Sequence, residues 1–391
     1  MVYLDHAATT AVRPEVVADM TEEFGHLGNP SSLHGAGRRA RRAVEEARES
    51  IADSLGCAPN EVVFTAGGTE ADNLAVKGLY WARAQESPRR RRILVSAVEH
   101  HAALDPARWT ADHQGAVYEE VPVDRHGRVA PEALRAAIER DPDDVALVSV
   151  MWANNEVGTL QPVAELAAVA REYGIPFHSD AVQAVGTQPV SFAESGASAL
   201  TVSAHKIGGP VGVGALVLAR GVEPTPVLHG GGQERELRSG TLMTPLLRGF
   251  ATALRLAAAE RAAHARHLAR LRDSLVAAVR EHVPDAVLNG HPTERLPGIA
   301  HLSFPGCEGD ALLMLLDARG IACSTGSACS AGVAQASHVL LAMGADAETA
   351  RSSLRFSLGH GSGPADIAAL GEAIGPVVER ARAARRKRRA A

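Results

Sequence analysis

Short apolar runs, bounded by polar and glycine-rich segments, recur through the middle of the chain from Glu61 to Arg220. Glu61–Thr65, Ile93–Val98, Val145–Trp152, Ile175–Ser179, Ala199–Ser203 and Gly214–Ala219 have the length and apolar content of buried strands. Between them, Glu70–Arg83 and Val163–Tyr173 read as helices, the second closed by Gly174. Strand–helix–strand order implies a mostly parallel sheet covered by helices, an α/β fold. In such a sheet the chemistry gathers at the carboxyl ends of the strands.

From Thr244 to Val283 the pattern is helical, with Leu268, Leu271, Leu275 and Val279 on one face. This long helix is expected to connect to a smaller α+β domain. There Leu302–Phe304 and Leu354–Leu358 alternate as half-buried strands do. The expected division is a large domain over 15–257 and a small one made of 1–14 and 258–391.

Composition sets outer limits. Hydrophobic residues make up 46% and charged residues 22% of 391 positions, a globular balance. A net charge of -5 gives no reason to expect direct nucleic-acid binding. Met1–His6 has neither a basic region nor an apolar run, so no leader is expected, and no stretch is long and apolar enough to span a membrane. Cys57, Cys307, Cys323 and Cys329 lack C-x-x-C spacing. Reduced thiols in the cytoplasm are the simplest reading. The basic tail Arg380–Arg389 reads as a solvated helix end.

Candidate chemistry lies at the strand ends. Lys206 closes Ser203-Ala204-His205-Lys206 after a buried run, where an ammonium is costly. A desolvated lysine loses its proton more easily and becomes an amine nucleophile of the Schiff-base kind. Thr65-Ala66-Gly67-Gly68-Thr69 leads from a strand into a helix and offers free amides to a phosphate, with the Thr69 hydroxyl beside them. Gly35-Ala36-Gly37-Arg38-Arg39-Ala40 fits the dinucleotide spacing but follows no strand, so it is set aside. Asp180 ends another strand and needs a cationic or hydrogen-bonding partner. His100 and His101 are expected to face opposite ways, as neighbours on a strand do. Cys329 lies among small residues, Ser324 to Ala336, expected to form a mobile loop that presents a nucleophilic thiol. A phosphate loop, an imidazole, a carboxylate, a glutamine (Gln183) and a lysine together suit pyridoxal 5'-phosphate.

At this point the chain resembles the cysteine desulfurases of the nitrogen-fixation and iron–sulfur-cluster type. These are class-V aminotransferase relatives of pyridoxal-phosphate fold type I. The resemblance runs from Tyr3-Leu4-Asp5-His6-Ala7-Ala8-Thr9-Thr10 through Gly28–Ser32, Gly67–Glu70, Asn154-Asn155-Glu156, Ser203–Lys206 and Arg238–Thr241 to Gly326–Cys329 and Arg355–Ser357. It departs at Gly68 and Ala204, where alanine and glycine are frequent.

The resemblance implies conversion of L-cysteine to L-alanine, with a persulfide left on Cys329. It implies Lys206 as cofactor anchor and base, Asp180 at the ring nitrogen and His100 stacked on the ring. Gln183 and Asn155 would lie near the ring hydroxyl, and Gly68, Thr69, Ser203 and His205 at the phosphate. Thr241 would come from the other subunit of a homodimer. Arg355, with Asn155, would bind the substrate carboxylate. No stable metal site is implied, beyond Cys329 as a transient iron–sulfur ligand. The implied partner is a sulfur-acceptor protein, an iron–sulfur scaffold or a tRNA thiolase. A selenocysteine lyase, another class-V pyridoxal enzyme, and a non-catalytic sulfur carrier using Cys323 and Cys329 are the alternatives.

Overall fold

The computed structural model describes residues 1–326 and 336–390. Cys329, with residues 327–335 of the loop expected over Ser324–Ala336, lies outside the described residues, whereas Ser324 is fixed by backbone pairing with Arg355. In chain order the strands are β1 Val2–Tyr3, β2 Val62–Thr65, β3 Arg92–Ser96, β4 Val117–Val121, β5 Val145–Ser149, β6 Phe177–Asp180, β7 Ala199–Ser203, β8 Gly214–Leu218, β9 Val287–Leu288, β10 Ile299–Ser303, β11 Ile321–Ala322 and β12 Ser353–Ser357.

One seven-stranded sheet has the order β2-β8-β7-β6-β5-β3-β4. Pairing is parallel from β4 across to β7, and β8 runs antiparallel to both its neighbours. β2 therefore points the same way as β7, and every strand but β8 ends at one edge. Each expected strand forms, with shifted ends. The largest change is at Val145–Trp152, where the ladder stops at Ser149. The apolar run still follows β6, because Val150 and Trp152 donate to the carbonyls of His178 and Asp180 at 3.0 and 2.7 Å.

Alternate residues of these strands enter two cores. Phe64, Leu94, Val148 and Val202 pack on one face with Val44, Ile51, Phe250 and Leu254. Val63, Ile93, Val95 and Leu147 pack on the other with Leu74 and Leu104. The helix Thr244–His282 has 39 residues, about 58 Å at the usual rise. Its first half packs in the first of these cores. Its second half, through Leu268, Leu271, Leu275 and Val279, packs in a separate core with Leu302, Phe356, Leu370 and Ile374. Leu4 belongs to that separate core and Ala7 to the first of the other two.

β9, β10 and β12 form an antiparallel sheet in that separate core. β10 and β12 are not half-buried as expected; every residue of both is buried. The alternation is real, but the polar face meets protein instead of water. Arg355 Nη1 donates to the Asn155 carbonyl, and Ser357 Oγ accepts the Ala7 amide at 2.8 Å. The basic tail lies on the helix Pro364–Ala390, where Arg382 pairs with Asp285 and Arg385 with Glu348. No helix among the described residues is long and apolar enough to cross a membrane.

Candidate active site

The carboxyl ends of β2, β6 and β7, with segments beyond β3 and β5, open onto one cavity of about 390 Å³. Gly68, Thr69, His100, Asn155, Asp180, Gln183, Ser203, His205, Lys206 and Arg355 all line it.

After β2 the chain turns through Gly67, whose φ of +147° is readily taken only by glycine. The helix begins at Gly68, and Glu70 Oε2 accepts the Ala66 amide at 2.8 Å. A side chain on Gly68 would come within 3.0 Å of Val182 and 3.8 Å of Ser203, so the loop packs tightly against the ends of β6 and β7. First-turn amides of a helix have no partner within it and attract anions. Ser203, the last residue of β7, has a buried Oγ with no hydrogen-bond partner among the described residues.

Lys206 ends the short turn Ala204–Lys206. Its Nζ donates to the carbonyls of Ala7 and Ala8 at 2.5 and 2.7 Å. Burial, and then the positive charge of Arg355, lowers its pKa to about 8 against the pull of Asp180 and Asp5. His205 falls to about 4, from burial and then Lys206. Gln183 Nε2 donates to the Ala7 carbonyl at 2.9 Å, so residues 7 and 8 form one wall of the site.

Asp180 Oδ1 accepts the Val182 amide at 2.8 Å, and burial raises its carboxyl to about 6. Asp72, also buried, is pushed well above the carboxylate range by burial and then by Asp180. His100 is the cap of the helix His101–Gln114, its Nδ1 accepting the Ala102 amide at 3.1 Å. Burial and then Lys206 lower its pKa to about 4, so the imidazole is neutral near pH 7. Here the expectation of opposite faces fails. His100 and His101 lie at a helix start, not on a strand, and both line the cavity.

Across the cavity Arg355, 4% exposed, donates from Nη1 to the Asn155 carbonyl at 2.9 Å and from Nη2 to Asp5 Oδ1 at 2.8 Å. Asn154, next to Asn155, is structural: its side chain donates to the Val98 carbonyl and accepts the amides of Glu156 and Val157. Thr241 is exposed and does not line the cavity of its own chain. Cys323 is buried, and its thiol is pushed up to about 12 by burial and then by Asp5 and Asp317. Gly35–Ala40 opens the helix Gly35–Leu55. A side chain on Gly37 would meet the Ser32 carbonyl at 2.2 Å, which explains that glycine without a dinucleotide.

Three cavity residues carried no signal of their own in the sequence, Asp72, Met151 and His338, and Glu156 was visible only within the motif Asn154-Asn155-Glu156. His338 Nε2 lies 2.9 Å from the Glu99 carbonyl, and its ring meets His101 edge-on at 5.2 Å. Asp5 was visible only as part of a motif.

Residues 2–370 match the family model of class-V aminotransferases. An IscS-like cysteine desulfurase of Mycobacterium tuberculosis is 57% identical over 385 residues, covering 98% of each chain. The cysteine desulfurase IscS of Methanosarcina thermophila is 43% identical, over 97% of this chain and 93% of its own. Among solved structures, a NifS-like protein superposes with a TM-score of 0.89 at 35% identity, covering 97% of this chain and 99% of that one.

Proposed function

The chain belongs to the class-V aminotransferase family, among the IscS-like cysteine desulfurases, and we propose that it converts L-cysteine to L-alanine and leaves a persulfide on Cys329. The observation that carries this reading is the single cavity joining Lys206, Asp180, His100 and Arg355.

The donor set fits pyridoxal 5'-phosphate. Ser203 Oγ, buried and unpartnered among the described residues, adjoins the helix start at Gly68, where a phosphate would be held with Thr69 and His205. Asp180, with its carboxyl raised by burial, would be returned to the charged form by a protonated ring nitrogen. When bound, this cofactor supplies the electron sink that lets the substrate α-carbon release a proton. Gln183 and Asn155 would adjoin the ring hydroxyl.

Lys206, with its pKa near 8, would be the amine that anchors the group and, once displaced, moves the α-proton. His100, neutral near pH 7 and lining the cavity, would lie against the ring and could pass protons. Arg355, with Asn155 beside it, takes the substrate carboxylate by a two-pronged contact. The Cys329 thiolate attacks the substrate sulfur. As the sulfur–sulfur bond forms, the carbon–sulfur bond breaks, and cysteine plus thiol become alanine plus persulfide. The persulfide is then delivered to an acceptor protein, an iron–sulfur scaffold or a tRNA thiolase. The free, reduced-type thiols Cys57, Cys307 and Cys323 are in keeping with work in the cytoplasm.

The active form proposed is a homodimer in which Thr241 completes the partner's phosphate site. The exposed apolar side chains of Phe24, Leu27, Leu33, Val211 and Met243 support a surface that another copy covers. Two cores bridged by one helix support the division into 15–257 and 1–14 with 258–391.

The test is alanine production from L-cysteine by the purified protein, with selenocysteine run beside it. Cys329→Ser should retain the cofactor absorbance and lose at least about a hundredfold in alanine formation. Alanine formation at the wild-type rate by Cys329→Ser would overturn the reading.

A further inference from the structure

Residues 326 and 336 are the described ends of the chain on either side of Cys329. Both ends are held at one place. Upstream, Ser324 and Arg355 exchange backbone hydrogen bonds, Ser324 N to Arg355 O at 3.2 Å and Arg355 N to Ser324 O at 2.7 Å. Ser324 Oγ then accepts the Gly326 amide at 3.0 Å. Gly326 has a φ of +88°, and a side chain there would lie 3.1 Å from His301 Nε2 and 3.5 Å from Glu156 Oε2. Downstream, Ser337 caps the helix His338–Ala342 by accepting the Leu340 amide at 3.1 Å. Its hydroxyl donates to the same Glu156 Oε2 at 2.6 Å.

Glu156 is 2% exposed, and Ser337 1%. A carboxylate is rarely placed in such a position without a reason, because burial raises its pKa and disfavours its charge. An aliphatic residue would fill the space without that cost. What the carboxylate adds is a directional acceptor for Ser337, beside Gly326. The residue before it, Asn155, holds Arg355 through its carbonyl at 2.9 Å. The dipeptide therefore binds the downstream root through Ser337 and Arg355 through the Asn155 carbonyl, while the upstream root is paired directly with Arg355 and passes beside Glu156 at Gly326.

We propose that Glu156 is a positioning residue for sulfur transfer, with Ser337 as its partner. It sets where the chain enters and leaves the Cys329 segment relative to Arg355, and hence the approach of the thiol to the substrate sulfur. This rests on the reading of Cys329 as the sulfur acceptor. It adds the element that registers this acceptor with the substrate.

The experiment uses the cofactor-loaded full chain and three variants, Glu156→Ala, Glu156→Gln and Ser337→Ala, with Cys329→Ser alongside. Each is assayed for cofactor absorbance, KM for L-cysteine, kcat for alanine, and persulfide on Cys329 by mass after one turnover. Glu156→Ala is expected to keep the cofactor and a KM within about twofold, since Arg355 keeps its other partners. Its kcat and persulfide yield should fall together by roughly ten- to a hundredfold, the scale of a small misplacement of reacting groups. Ser337→Ala should show the same split more mildly, and it serves if Glu156→Ala does not fold. Glu156→Gln, which keeps an acceptor for Ser337, should restore most of the loss. Unchanged kcat in both alanine variants, or a parallel loss of cofactor and KM, would overturn the proposal. If Cys329→Ser itself forms alanine at the wild-type rate, the parent reading fails, and that outcome is separable from the other two.

Discussion

Lys206 keeps an amine in a poorly solvated place by giving two of its protons to backbone carbonyls, those of Ala7 and Ala8. Even so its pKa falls from 10.5 to about 8. The sign for stability follows from linkage. The unfolded chain holds this proton more tightly than the folded one, so the group disfavours folding fully below pH 8. That penalty fades as pH rises from 8 toward 10.5. In the cofactor-free protein, wild type should therefore gain stability relative to Lys206→Met across that interval, measured by thermal melting. A flat difference would contradict the shift. Cys323→Ser should keep substantial activity, because the Cys323 thiol is buried and pushed up to about 12. Loss of alanine formation in that variant, with Cys329→Ser active, would reverse the two assignments. Residues that end strands were readable from sequence, since a polar group after an apolar run has few bland explanations. Asp72 and His338 were not, because each is an ordinary helix residue until the fold brings it to the cavity.

At the scale of elements, the run 230–241 is fixed from within. Glu234, 1% exposed, accepts both Arg48 Nη1 and Nη2 at 2.9 and 2.7 Å and the Phe64 amide at 2.8 Å. That ties it to the helix Gly35–Leu55 and to β2. The following Arg235 and Glu236 take φ values of 53° and 63°, a conformation side chains resist and surroundings must enforce. Arg238 then pairs with Glu70 at 2.7 Å, beside the proposed phosphate loop. Glu234→Ala should lower unfolding stability by roughly 3–5 kcal/mol in urea titration, since it leaves the Phe64 amide unpaired and the buried Arg48 guanidinium with only Glu45 and the Val62 carbonyl. Asp141→Ala, which breaks the exposed pair with Arg89, should change stability far less, because water screens that pair. Equal effects would refute the burial argument. The inner strands were legible because both faces are buried and their sequences are nearly all apolar. β4 was not: it is an edge strand with two glutamates, and only Val121 is buried. The reversed direction of β8 had a signal that composition hides. The link 204–213 is too short for a parallel crossover.

The whole molecule is proposed to work as two copies with shared sites. Co-expression of Lys206→Ala with Thr241→Val chains should give mixed dimers with one site bearing both lesions and one bearing neither. Such dimers should bind one cofactor per dimer as tightly as wild type. If Thr241 served its own chain, every site would be damaged. The proposed two-body division rests on the long helix, whose first half packs in one core and second half in another. The closing of the small sheet against the large body was not, because His301, Arg355 and Ser357 look like a solvent face in sequence. The most direct test of the whole account is the mass of the Cys329 peptide after a single turnover with L-cysteine, with alanine counted in the same sample. The account predicts a gain of one sulfur atom on that peptide and one alanine per persulfide. Alanine formed with no sulfur on Cys329, or sulfur found on Cys323 in its place, would contradict it.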